Sequence, residues 1–180
     1  MSDLTADEVK NIVRNMIKVR GITMHGLISP IAKAPPDLPV PFGLPPVWKS
    51  GNFFNAANPT RIKVPGNRGG RYFIHAEIQW SPKIGSNRFS DVQSDGGFFS
   101  AYLVRNNTTG MSLQKEAQST AAVITGSTLV TQNVILETHL AAGHFVELYV
   151  SQYVSGLDPT NDFAIEVNAT MTVRRLGKLV

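Results

Sequence analysis

The stretch Arg71-Tyr-Phe-Ile-His-Ala-Glu-Ile-Gln-Trp80 decides the fold class. Tyr72, Ile74, Ala76, Ile78 and Trp80 alternate with Phe73, His75, Glu77 and Gln79, a period of two. Successive side chains of a strand point to opposite faces, so this pattern buries one face of a strand, whereas a helix repeats every 3.6 residues. The opposite face is mixed. Phe73 and His75 sit there with polar neighbours, a combination that a fully solvated strand seldom carries.

Working outward, the same period recurs. Thr128–Leu140 sets Val130, Val134, Leu136 and Leu140 against Thr131, Asn133, Ile135 and His139. Phe145–Tyr153 places Val146, Leu148 and Val150 on one face, and Phe163–Val173 does so with Ile165, Val167, Ala169, Met171 and Val173. Phe98–Val104 is a further strand, and Ala121–Val123 belongs to another. Gly69-Gly70, Asp95-Gly96-Gly97, Asn106-Asn107, Ala142-Gly143 and Asp158-Pro159 punctuate the runs as turns. Short strands at this spacing, with no helical period between them, predict an all-β, two-sheet antiparallel sandwich over residues 47–180.

The N-terminal quarter is different. Thr5-Ala6-Asp7-Glu8 has the form of a helix-capping box, and Val9, Ile12, Val13, Met16 and Ile17 form one apolar stripe before Gly21. A helix over residues 1–21 follows. It is too short to stand alone, so its stripe must dock on trimer mates or on a host structure. Ser29–Pro46 holds seven prolines in eighteen positions. Proline fixes φ and removes donors, so residues 22–46 are expected to be an extended spacer.

The 180 residues contain 42% hydrophobic and 17% charged side chains, the balance of a globular chain. There is no cysteine, which excludes a disulfide scaffold or thiolate metal site and suits a reducing compartment. The N-terminus lacks the pattern of a signal peptide, and no apolar run approaches the ~20 residues of a membrane span. Charge is uneven: residues 1–71 hold ten Lys/Arg against four Asp/Glu, whereas residues 72–180 hold seven against nine. Such a basic arm suits an acidic partner surface.

Several segments carry a resemblance. They are Asn58-Pro-Thr-Arg-Ile-Lys-Val-Pro65, Gly70-Arg-Tyr-Phe-Ile-His-Ala-Glu-Ile-Gln-Trp80, Leu103-Val-Arg-Asn106, Leu140-Ala-Ala-Gly143 and Arg174-Arg-Leu-Gly177. In this order and spacing, residues from about Trp48 to Gly177 resemble a tumour necrosis factor-like jelly roll. The type is that of the complement q-subunit globular head, as found in phage virion proteins. The resemblance implies ten strands and a tight homotrimer, with members that bind proteins, glycans or cell surfaces and do no chemistry. It also implies that the strands at 71–80, 128–140 and 163–173 share an inner sheet whose outer face meets the other two subunits. Phe73, His75, Asn133, Ile135, Asn168 and Thr170 then form the trimer interface, with His75 and Asn133 hydrogen-bonded near the axis. This sequence has His144 where the family usually carries an acidic residue.

Sites of chemistry are sparse. His139 and His144 flank one turn, with Glu137 as the nearest third metal ligand, but that spacing is common on hairpins. His75 and Glu77 share a strand face as an acid/base pair or, in the simpler reading, as hydrogen-bonded interface residues. Asp91, Asp95, Asp158 and Asp162 lack the regular spacing of a calcium loop. Gly66-Asn-Arg-Gly-Gly70 precedes a strand rather than a helix and reads as a turn, not a phosphate cradle. Trp48, Phe53, Phe54, Phe98 and Phe99 suit a packed interior better than a platform for sugars or bases. No cofactor, metal or specific nucleic-acid partner is expected. The expectation is a non-enzymatic virion protein, assembled in a host cytoplasm: a capsid decoration or head-fibre trimer held to a capsid or other virion protein by its N-terminal arm. A receptor-binding module of a tail tip or baseplate, gripping a host glycan or protein, is the alternative.

Overall fold

The computed structural model describes residues 5, 7, 20–31, 37–43, 45–83, 97–106, 114–122, 129–154 and 164–177. Ten strands follow in chain order: β1 (Arg20–Ile31), β2 (Leu38–Pro39), β3 (Trp48–Lys49), β4 (Ile62–Lys63) and β5 (Gly70–Lys83), then β6 (Gly97–Asn106), β7 (Gln114–Ala122), β8 (Val130–Leu140), β9 (Phe145–Val154) and β10 (Ala164–Gly177). Sheet I has the order β3-β1-β10-β5-β8; sheet II has the order β2-β9-β6-β7, with β4 also paired to β9. All pairings are antiparallel. The first long strand lies beside the last, and β5 lies between β10 and β8, the crossed connections of a jelly roll.

Alternation builds the core. Tyr72, Ile74, Ala76, Ile78 and Trp80 are all fully buried, and so are Ile165, Val167, Met171 and Val173 beside them. Sheet II answers with Phe99, Ala101, Leu103, Val146, Leu148 and Val150. Phe53 and Phe99 belong to this core, so the interior reading of those two rings holds. The Trp80 indole lies parallel to the Phe99 ring at 4.5 Å. Its Nε1 donates to Gln132 Oε1 at 2.7 Å, and Gln132 Nε2 donates to the Phe99 carbonyl at 3.0 Å. A buried amide is tolerated here because the indole and the carbonyl satisfy both its ends.

The boundary of the head lies earlier than Val47. The expected spacer over 22–46 includes β1, a full sheet strand with Ile22 and Met24 buried, in register with β10 from Arg20↔Arg175 to Ile28↔Val167. The prolines farther on do not form a detached spacer either. Leu38–Pro39 pairs with β9, Val40 N donates to the Leu148 carbonyl at 2.8 Å, and Phe42 N donates to the Pro59 carbonyl at 2.8 Å. Pro39 and Pro41 alternate with Val40 and Phe42, so the missing N–H groups fall between the ones the sheet edge uses. Val40 is 0% and Phe42 3% exposed.

The expected helix over 1–21 does not reach Gly21, since Arg20 and Gly21 belong to β1, and the rest of it, apart from Thr5 and Asp7, lies outside the described residues. Its stripe residues Val9, Ile12, Val13, Met16 and Ile17 lie outside the described residues, as do Asp91, Asp95, Asp158 and Asp162.

Candidate functional site

The outward side chains of sheet I line up in rungs across β1, β10, β5 and β8. One rung carries His25, Thr170, Glu77 and Asn133; the next carries Thr23, Thr172, His75 and Ile135. Beyond them stand Arg174, Phe73 and Glu137 on one side, and Leu27, Asn168, Gln79 and Thr131 on the other. Each long strand therefore carries outward exactly the set that alternation assigns. The six sequence-derived interface residues, Phe73, His75, Asn133, Ile135, Asn168 and Thr170, all fall on this one face.

Short polar bonds tie the rungs together. His75 Nε2 and Asn133 Oδ1 are 2.9 Å apart. Thr170 Oγ1 meets His25 Nδ1 at 2.8 Å, and Thr23 Oγ1 meets Thr172 Oγ1 at 3.0 Å. Gln79 Nε2 donates to Glu77 Oε1 at 3.0 Å, and Asn168 Nδ2 donates to Glu166 Oε1 at 3.1 Å. His75 and Glu77 thus engage separate partners rather than each other. A shallow groove of about 350 Å³ runs over His25, Glu77, Gln79, Asn168 and Thr170. His25 was missed as a member of this face because its strand was read as spacer. Ile135 is 59% exposed and Leu27 52% exposed on the same surface.

The outward face of sheet II is covered from within the chain. Tyr102 and Tyr149 stack at 5.5 Å with rings 8° from parallel. Tyr102 is 4% exposed; burial and a hydrogen bond to Asp37 push its phenol well above the ordinary value, and burial also raises Tyr149. Glu147, 2% exposed, accepts from Thr60 Oγ1 at 2.8 Å and from Arg61 Nε at 3.1 Å, while the Arg61 guanidinium lies 4.3 Å from the Phe145 ring centre. This clamp joins the 55–61 loop to β9. It gave no signal in the sequence beyond a carboxylate at an outward strand position.

At the β8–β9 turn, Gly143 takes a left-handed φ of 84° and His144 N donates to the Ala141 carbonyl at 3.2 Å. The His144 Nδ1 atom is buried without a partner. Desolvation lowers its pKa, and the nearby Arg105 and His139 lower it further. Arg105 donates to the His139 carbonyl at 3.3 Å and pairs with Glu116 at 2.9 Å, and Glu137 pairs with Arg71. The third ligand proposed for a metal at this turn is therefore engaged by an arginine. Among the described residues no three His, Cys, Asp or Glu side chains gather as a metal site. The Gly66–Gly70 segment is a turn, closed by Arg68 N donating to the Pro65 carbonyl at 3.0 Å.

No protein-family description and no curated protein matches this sequence. Solved structures do match it. The Eiger TNF of S. frugiperda is 12% identical, with 89% of this chain and 96% of that one covered at a TM-score of 0.51. The globular domain of zebrafish complement 1qA protein is 11% identical, covering 89% and 100% at 0.48. Murine APRIL is 12% identical, covering 83% and 98% at 0.46. Residues 47–180 alone fall short of the 89% shared with the Eiger TNF, which agrees with a head that begins at β1. With its strand order and its overlay on the Eiger TNF, the chain has the tumour necrosis factor-like jelly-roll fold.

Proposed function

We propose that this protein is a non-enzymatic structural module of a virion, a capsid decoration or head-fibre protein, working as a homotrimer. The three-fold axis runs against the outer face of sheet I. The observation that carries the assembly is Ile135, 59% exposed and in register with His75, which is itself bonded to Asn133 on the same face. Burying such a branched side chain is worth about 1.5–3 kcal/mol, and a three-fold axis collects three copies. Phe73, half-buried one rung away, extends the contact. The virion role is supported by the sequence resemblance to jelly rolls of phage particles.

Two measurements test the reading. Light scattering at micromolar concentration should give about 59 kDa, three times the 19.6 kDa chain; a monomer would overturn the assembly. Reconstruction of the particle that carries the protein should show three-fold density on the capsid. Density at the tail end would replace decoration with adhesion to a host glycan or protein, and absence from any particle would overturn the virion role.

A further inference from the structure

The sandwich is electrically polarised along its strands. At one end lie the start of β1, β4, the 64–69 loop, the end of β6, the β8–β9 turn and the end of β10. Arg20 is opposite Arg175 there, with Arg174 next to it. Lys63, opposite Phe145, is exposed; Arg61 lies over the same ring, and Arg68 and Arg71 flank the start of β5. Arg105 closes β6, and Lys49 stands beside Ile22. The carboxylates at this end, Glu116, Glu137 and Glu147, are each held by one arginine: Arg105, Arg71 and Arg61. Cations therefore remain in clear excess. Away from this end, the charged side chains described in the sandwich are Asp37, Glu77 and Glu166, all acidic.

Nothing in the core requires this segregation, and clustered like charge costs stability. Residues 1–19 join the head here, at Arg20, and are balanced in charge, with Lys10, Arg14 and Lys18 against Asp3, Asp7 and Glu8, so the excess belongs to the sandwich. We infer that the basic end of the sandwich is itself a docking surface, and that its partner is an acidic protein surface. The excess is mostly arginine, whose planar fork binds carboxylates in pairs. The carboxylates interspersed among these cations would repel a continuous phosphate track, which argues against nucleic acid. The inference rests on the sandwich alone. If the chain trimerises, a three-fold axis turns all three basic ends to the same side, and the surface is multiplied.

The test uses the full chain with poly-glutamate as probe, and compares two variants with an equal change in net charge. Lys63→Gln/Arg68→Gln removes two cations from the basic end and leaves the N-terminal arm intact. Gln118→Glu/Thr120→Glu adds two charges on exposed positions of sheet II away from it. The first should weaken binding at least about fivefold and flatten its salt dependence, and the second should change it much less. Both should keep the parent mass and circular dichroism. Equal weakening in the two variants would reduce the effect to net charge. Unchanged binding in the first would assign the docking to the arm. Tighter binding to duplex DNA or to anionic phosphatidylserine vesicles than to poly-glutamate at the same salt would replace the partner. Each of these three results overturns the inference.

Discussion

The two sheets present outward faces of opposite character. On sheet II the outward side chains of β6 and the start of β9 are already enclosed, with Tyr102 4%, Glu147 2%, Ser100 4% and Val104 1% exposed, and only the β7 edge, at Gln118 and Thr120, stays open among the described residues. The 55–61 loop, Asp37 and the tyrosine stack supply that cover. On sheet I the outward residues have no such lid among the described residues, and Ile135 and Leu27 stand more than half exposed. A face completed within the chain serves stability, and a face left open with apolar side chains on it is the one that meets another molecule. In the proposed assembly, stability and association thus divide between two sheets of similar size.

The largest effect comes from removing the strand that both faces depend on. A chain starting at Val47 lacks β1, so β10 loses its partner from Arg20 to Ile31, and the places of Ile22 and Met24 in the core are empty. Burial of each is worth about 2 kcal/mol, and the stripped edge of β10 adds unpaired backbone groups. Such a chain should aggregate or fail to fold, seen as loss of a cooperative melt. A chain starting at Arg20 should fold and keep its oligomeric state. Normal folding from Val47 would mean that β1 is an accessory strand.

The reason β1 was hidden in the sequence is physical. Ile22, Met24 and Ile28 keep the alternation, but Gly26 breaks it in the middle. A Cβ at Gly26 would lie 2.5 Å from Val40 Cγ1 and 2.7 Å from the Pro41 carbonyl, so the gap in the pattern is where the 40–42 segment packs. Proline composition then suggested a spacer, although the prolines are interleaved with the residues whose N–H groups are bonded. The strands at 70–83, 130–140 and 164–177 were legible because their alternation is unbroken, and with them the face carrying Phe73, His75, Asn133, Ile135, Asn168 and Thr170. Gln132 and Glu147 were not, since a buried polar group reveals itself only through partners distant in sequence.

The open face is tested by Ile135→Asp. In the single chain this side chain is exposed, so an aspartate costs the isolated fold little. In a trimer it would bring three carboxylates together away from water. The expected outcome is a folded monomer of 19.6 kDa, or no folded protein where folding requires assembly. A trimer of unchanged thermal stability would move the interface elsewhere.

The closed face is tested by Glu147→Ala, which removes the acceptor of Thr60 and Arg61. Hydrogen bonds to a buried charge contribute about 1.5–3 kcal/mol, so stability in urea should fall by about 2 kcal/mol while the oligomeric mass stays the same. Glu147→Gln, which keeps an acceptor oxygen, should recover part of the loss. A fall in mass with Glu147→Ala would show that sheet II also takes part in assembly and would erase the division between the faces.

The smallest effect lies at the β8–β9 turn, where the two sheets are joined. His144 sits in this turn with its Nδ1 buried without a partner. Burial first, then Arg105 and His139, depress its pKa below the ordinary 6.5. Between the depressed folded value and 6.5 the unfolded chain binds more protons than the folded one, so stability rises with pH across that window. The contribution is fully present above 6.5 and is lost as the pH falls through the folded value. Urea midpoints measured from pH 8 to pH 5 should therefore decline on the acid side, and His144→Gln should remove part of that decline. The protein has three other histidines, of which His25 and His75 lie on the open face of sheet I. An acid-induced drop in mass that persists in His144→Gln would assign the pH response to that face, whereas a loss of stability at constant mass that the substitution relieves assigns it to the turn.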